Sequence, residues 1–217
     1  MLRAASSMVE HLPLKEVVGG SNPPRLTNSM KKRAVLIHGW EGYPEEGWRP
    51  WLKKELERRD FKVIVPAMPD TATPTPEKWV PYLAEIIGTP NEKTFLIGHS
   101  LGCITILRYL ETLKDDEHIG GAILIAGFGQ DLEYDGYKGE LSSFFRTSVD
   151  WGKVKEHCQK FVAIHSDDDL WVPVKHNKIF KDKLSAKVIN QHGMKHYSGD
   201  DGITELPIVL NELLEMS

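Results

Sequence analysis

Cysteine is scarce in this chain of 217 residues: there are two, Cys103 and Cys158, and neither belongs to a C-x-x-C or Cys/His cluster. That excludes a disulfide scaffold, leaves no ligand set for a structural zinc, and makes a reducing cytoplasm the simplest compartment. Long apolar runs are missing as well. The best, residues 122–128, falls far short of the ~18 residues of a helical membrane span and reads as a buried strand. Positive charge is also in short supply. The formal net charge is −4, and apart from Lys31-Lys32-Arg33 lysine and arginine occur singly or in pairs, so neither nucleic acid nor an acidic membrane is expected as a partner. What remains is the composition of an ordinary globule, 41% apolar and 27% charged, with enough chain for one domain around a sizeable core.

The first 29 residues do not resemble the rest. A short apolar patch (Leu12, Leu14, Val17, Val18) is followed by Gly19-Gly20-Ser21-Asn22-Pro23-Pro24, with no sustained period. Gly-Ser-Asn-Pro is what results when the T-arm of a transfer-RNA gene is translated. Residues 1–29 are therefore expected to be a disordered extension from a mis-assigned start, with the domain occupying 30–217. From Lys31 onward, apolar runs alternate with segments of helical period. Strands are expected at 34–37, 63–65, 94–98, 122–126, 161–164 and 187–190. Helices are expected at 48–59, 77–87, 103–113, 174–184 and 205–215, with an irregular excursion over 128–152. That alternation implies βαβ units and a parallel sheet with helices on both faces.

The chemistry centres on Gly98-His99-Ser100-Leu101-Gly102, a G-x-S-x-G stretch between an expected strand and an expected helix. In that context the pattern is a nucleophile elbow, where a sharp turn leaves no room for side chains at the glycines and presents the serine strained and exposed. An acyl-transfer serine needs a base, a group that orients the base, and donors for the oxyanion. The partners should follow the serine along the chain and stand in loops after later strands. Asp167-Asp168-Asp169 follows the fifth strand, and any of the three can hold an imidazole. His192 and His196 follow the sixth; His196 lies deeper in the loop with an aromatic behind it, and is the expected base. Expected oxyanion donors are the backbone N–H groups of Leu101 and of Trp40, the latter after His38-Gly39. Gly39, Tyr43, His99 and Phe128 are the expected substrate contacts, with Trp48, Tyr134 and Phe144 as further candidates for the wall of an acyl pocket. Asp131-x-Glu133-x-Asp135-Gly136 opens like a calcium loop, but Ser142 occupies the twelfth position in place of a bidentate glutamate, so no metal is expected.

Taken together, His38-Gly39, Trp51-Leu52, the Gly98–Gly102 motif, the Asp-x-x-Val-Pro at 169–173 and Gly193 to Tyr197 followed by Leu206-Pro207 resemble the small serine hydrolases related to retinoblastoma-binding protein 9 and YdeN. The resemblance spans residues 32–215. It implies a compact α/β-hydrolase fold of about six mainly parallel strands without a large cap, and a Ser-Asp-His triad. The family's acid stands four residues before the proline, which is Asp169 here, with Asp168 as the alternative. Lys195 makes the turn before His196 one residue longer than the family's tighter form. The expected activity is cofactor-independent hydrolysis of a small-molecule carboxylic ester by Ser100, His196 and Asp169. An amidase or peptidase using the same residues is one alternative, and a protein-binding module on a hydrolase fold is another. The Leu-x-Cys-x-Glu motif that would suit a retinoblastoma-type pocket is absent, because 101–105 ends in Thr105.

Overall fold

In the computed structural model, the residues described are 31–134 and 137–217; the extension expected over 1–29 lies outside them. The elements follow in the order β1 (Arg33–Ile37), α1 (Arg49–Glu57), β2 (Lys62–Ile64), α2 (Pro76–Ile87), β3 (Thr94–His99), α3 (Leu101–Leu110), β4 (Gly121–Ile125), α4 (Trp151–His157), β5 (Phe161–Ser166), α5 (His176–Leu184), β6 (Lys187–Gln191) and α6 (Pro207–Met216). The strands form one sheet in the order β2-β1-β3-β4-β5-β6, with every neighbouring pair parallel.

Successive strand residues point to opposite faces, and each face has its own core. Ala34, Leu36, Phe95, Ile97, Ile123, Ile125, Val162 and Ile164 pack with Leu52 and Leu56 of α1 and with Val209 and Leu213 of α6. Val35, Ile37, Leu96, Ala122, Leu124, Phe161 and Ala163 pack instead against α2, α3, α4 and α5. Burial on both faces explains why the central strands read as unbroken apolar runs. At the amino edge of the sheet, Lys32 Nζ donates to the Ser217 carbonyl (2.9 Å) and Lys160 Nζ to that of Met216 (2.7 Å), which holds the end of α6 beside the start of β1.

The six strands and five of the helices stand where the sequence predicts them, with ends displaced by a few residues. Prolines account for two of the displacements. Pro207 opens α6, and Pro173 holds 173–175 in tight turns, so that α5 begins at His176. One helix was not expected. The excursion over 128–152 contains a 3₁₀ turn at Ser142–Phe145 and runs into α4, whose cap is Asp150 accepting from the Lys153 N–H at 3.0 Å. Seven residues with Val154 and His157 as the buried positions carry too little periodicity to announce themselves.

The order of the sheet reverses at β1, which lies between β2 and β3. Open parallel sheets bind ligands at such a point, beyond the carboxyl ends of the strands. The turn from β3 into α3 lies there and is very tight. A Cβ built on Gly98 would come within 2.8 Å of the Cys103 nitrogen, and one on Gly102 would run into the carbonyl oxygen of Ile37 in β1. Gly102→Ala forces α3 away from β1, because the obstructing atom is main chain. The expected cost is about 2 kcal/mol of stability, read as a lower urea midpoint at unchanged slope; a midpoint equal to wild type would refute the contact.

Candidate active site

Ser100 occupies the turn between β3 and α3 at φ 52° and ψ −117°, a backbone conformation that non-glycine residues rarely adopt. The chain around it over-determines that strain: the Ser100 N–H donates to the Ile125 carbonyl at 2.9 Å, and the Cys103 N–H donates to that of Ser100 at 2.9 Å. Ser100 lines a cavity of about 350 Å³ together with Gly39, Trp40, His99 and His196. A larger depression of about 640 Å³, between the 129–149 excursion and α5, contains neither a serine–histidine pair nor any part of the elbow.

The imidazole is held from several sides. His196 Nδ1 lies 2.8 Å from Asp169 Oδ2, and the side chain of Asp169 is fully buried. The other oxygen of Asp169 accepts from the Trp171 and Val172 N–H groups at 2.8 and 3.0 Å, so the carboxylate is fully engaged as an acceptor. Nδ1 must then carry the proton, leaving the lone pair of Nε2 for the cavity. The main chain of His196 is tied as well: its N–H donates to Asp201 Oδ2 (3.0 Å), and its carbonyl accepts from His99 Nε2 (2.7 Å). Tyr197 is buried behind it, with its carbonyl accepting from Trp48 Nε1 at 3.0 Å. Lys195 and Tyr197 both have positive φ, so the added residue before His196 is accommodated by two left-handed positions.

The three aspartates after β5 have separate tasks. Asp169 meets His196. Asp168 accepts from the Ser166 hydroxyl and from the Lys195 N–H (2.9 Å), and its bond to Ser166 holds its carboxyl below the usual range. Asp167 pairs with His192 Nδ1 at 2.9 Å. All three contacts bind the loop after β5 to the loop after β6.

The loop after β1 closes over Ser100. A Cβ on Gly39 would lie 3.1 Å from that of Ser100, so glycine is what allows the approach. Buried His38 fixes this loop: its Nε2 accepts from the Met68 N–H (3.1 Å), so Nδ1 is the protonated nitrogen and donates to the Gly39 carbonyl (2.8 Å). Burial lowers its pKa and keeps it neutral. Among the described residues, the N–H groups of Trp40 and Leu101 have no hydrogen-bond acceptor, as oxyanion donors require. His38 was noticed in the sequence only as part of a dipeptide. Its two bonds depend on Met68 in a distant loop.

Of the expected substrate contacts, Gly39, Tyr43 and His99 line the cavity. Phe128 does not, which corrects the sequence reading. It follows β4 but turns inward, fully buried between Phe145 (5.8 Å between ring centroids) and His176 (6.5 Å). Trp48 and Phe144 are likewise core, whereas Tyr134 lines the cavity. Trp171 was missed: it stands edge-on to Tyr134 at 5.4 Å, two residues beyond Asp169. Asp135 and Gly136 of the calcium-like stretch lie outside the described residues; Asp131 accepts from Tyr137 Oη (2.7 Å) and from Ser142 Oγ.

The serine hydrolase family model matches residues 34–215. The chain belongs to the serine hydrolase family. Among its relatives, this serine hydrolase is 36% identical over 185 residues to YdeN of Bacillus subtilis (strain 168), covering 85% of this chain and 95% of that one. It is 29% identical over 172 residues to the serine hydrolase RBBP9 of Rattus norvegicus, covering 78% and 89%. The crystal structure of the Bacillus subtilis ydeN product superposes with a TM-score of 0.80 at 34% identity, over 85% of this chain and 98% of that one. Est1E of Butyrivibrio proteoclasticus, solved with ferulic acid, shares the fold at a TM-score of 0.63 and 14% identity, over 89% and 94%. The α/β-hydrolase fold of this serine hydrolase, six parallel strands with no cap domain evident among the described residues, is therefore that of its relatives. Also among the described residues, no helix is long and apolar enough to cross a membrane.

The pairing of exposed His192 with Asp167 has a direct readout. Hydrogen bonding to Asp167 raises the pKa of His192. The pair therefore favours the folded state below the ordinary histidine value of about 6.5, and that contribution fades as pH rises through the elevated value. Titration of the His192 ring signals by NMR is expected to give a midpoint above that ordinary value, returning towards it in Asp167→Asn; coincident curves would refute the pairing.

Proposed function

We propose that this serine hydrolase cleaves carboxylic esters with small or medium acyl groups through an acyl-enzyme intermediate. The observation that carries the reading is the 2.8 Å contact between buried Asp169 and His196 in the wall of the same cavity as strained Ser100. Ser100 Oγ attacks the carbonyl carbon while His196 Nε2 takes the hydroxyl proton. Asp169, held by two main-chain N–H groups, keeps the imidazole in the required tautomer and offsets the charge it gains. The developing oxyanion lies against the N–H groups of Trp40 and Leu101, each worth about 3 kcal/mol to the transition state. His196 then returns its proton to the departing alcohol; in the second half a water deprotonated by the same nitrogen attacks the acyl carbon, the bond to Ser100 Oγ breaks, and His196 passes the proton back to Oγ as the acid leaves.

A cavity of about 350 Å³ supports the smaller acyl groups, since it lies near the lower end of the range for ligand sites. The cytoplasm remains the proposed compartment, supported by Cys103 and Cys158, two free buried thiols. A small-molecule ester is the proposed partner, with neither nucleic acid nor a membrane taking part.

Ser100→Ala is expected to lower kcat towards p-nitrophenyl acetate or butyrate by about 10³-fold or more with the fold intact. Equal turnover in that variant would refute the assignment. A fluorophosphonate probe should label Ser100, which a pure binding module would not permit, and a parallel anilide panel distinguishes an amidase. Asp169→Asn should cost far more activity than Asp168→Asn, because only the first touches the imidazole; the reverse ranking would move the acid by one residue.

A further inference from the structure

The cavity at Ser100 has two unlike walls. Leu132, Tyr134, Leu141, Trp171 and Val172 make one side apolar and aromatic. The other is acidic: Glu41, Glu46 and Asp200 all line it, and no lysine or arginine does. Glu46 is committed to Arg49 and to the Gly199 N–H. Glu41 and Asp200 are exposed, and among the described residues their side chains have neither an ion-pair nor a hydrogen-bond partner. Each comes from a loop essential to the site, Glu41 directly after Trp40 and Asp200 four residues after His196.

His99 adds no fixed positive charge to this wall. His99 is 4% exposed, and its Nε2 bonds the His196 carbonyl, so that nitrogen is the donor. Its Nδ1 is buried without a partner, 3.5 Å from where a Cβ on Gly39 would stand. Burial, with His196 beside it, holds the His99 pKa well below the usual value, so Nδ1 presents a lone pair. Glu41, Asp200 and His99 Nδ1 are thus acceptors at this end of the cavity. The mouth also bears aromatic faces: Tyr43 is 55% exposed and Trp171 52% exposed. Carboxylates without counter-ions beside open aromatic rings are the surroundings that retain an organic ammonium group, by charge and by cation–π attraction together.

We infer that the substrates of this site carry a positively charged amino or quaternary ammonium group, which lies between Glu41, Asp200 and the ring of Tyr43 while the apolar remainder rests on Leu132, Tyr134 and Trp171. The inference rests on the reading of Ser100 as the nucleophile and narrows the substrate class of that site. Anionic esters are correspondingly disfavoured.

The test measures the rate at which a fluorophosphonate modifies Ser100, and how that rate falls with acetylcholine or with 3,3-dimethylbutyl acetate, its uncharged isostere of nearly equal shape. The cation should protect at a concentration about tenfold lower or better, equivalent to ~1.4 kcal/mol. The advantage should shrink at high salt and vanish in the double variant Glu41→Gln, Asp200→Asn. Equal protection by the two compounds, or protection by neither, overturns the inference and leaves Ser100 as the nucleophile. A cation advantage that survives the double variant overturns the assignment to these carboxylates. Failure of Ser100 to react with the probe at all overturns the nucleophile reading, and this inference with it.

Discussion

Everything at this site depends on how closely three stretches of main chain approach one another without side chains between them. The end of β3 turns into α3 against the end of β1, and the loop after β1 folds down on the turn. Gly98, Gly102 and Gly39 stand at the three contacts, each with less space for a Cβ than ordinary packing provides. That compression holds Ser100 in a backbone conformation it would not choose, and among the described residues the N–H groups of Trp40 and Leu101 beside it are left without an acceptor. Local strain of this kind persists only where surrounding bonds exceed its cost. Here they include the main-chain bonds on either side of Ser100 and the two hydrogen bonds of buried His38.

The second half of the site is built differently. The loops after β5 and β6 contribute irregular chain, and they are rigid because they are tied to each other. Asp167, Asp168 and Asp169 reach across to His192, Lys195 and His196 in turn, so three consecutive acids act as successive rungs between neighbouring loops. One of these rungs also orients the imidazole. The bond from His99 to the His196 carbonyl then joins this half to the first, since His99 is the residue next to Ser100. Ser100 and His196 are thereby linked through one side chain, as well as through the sheet beneath them.

Much of this was legible in the sequence. The apolar runs 34–37, 94–98 and 122–126 announced strands because both faces of the sheet are covered, and G-x-S-x-G between strand and helix announced the turn because its glycines have a steric reason. Asp169 and His196 stood out by their positions after β5 and β6 and by likeness to the family. What could not be read has a common cause, namely direction. Phe128 follows a strand as Trp40 does, yet its ring turns into the core, and no local pattern distinguishes the two. Trp171 carries no local signal of its role, because the ring it meets, Tyr134, comes from a stretch of chain 37 positions away in the numbering. His38 depends on Met68, and α4 is too short to show a period.

The bonds from Lys32 and Lys160 to the last turn of α6 hold both ends of the folded domain at the amino edge of the sheet, while every loop that carries Ser100, Asp169 or His196 leaves from the carboxyl edge. Attachment and chemistry are thus at opposite poles. A support, a label or a fused partner tethered at the carboxy terminus would point the open cleft outward into solution, with the full thickness of the sheet between the anchor and the incoming molecule.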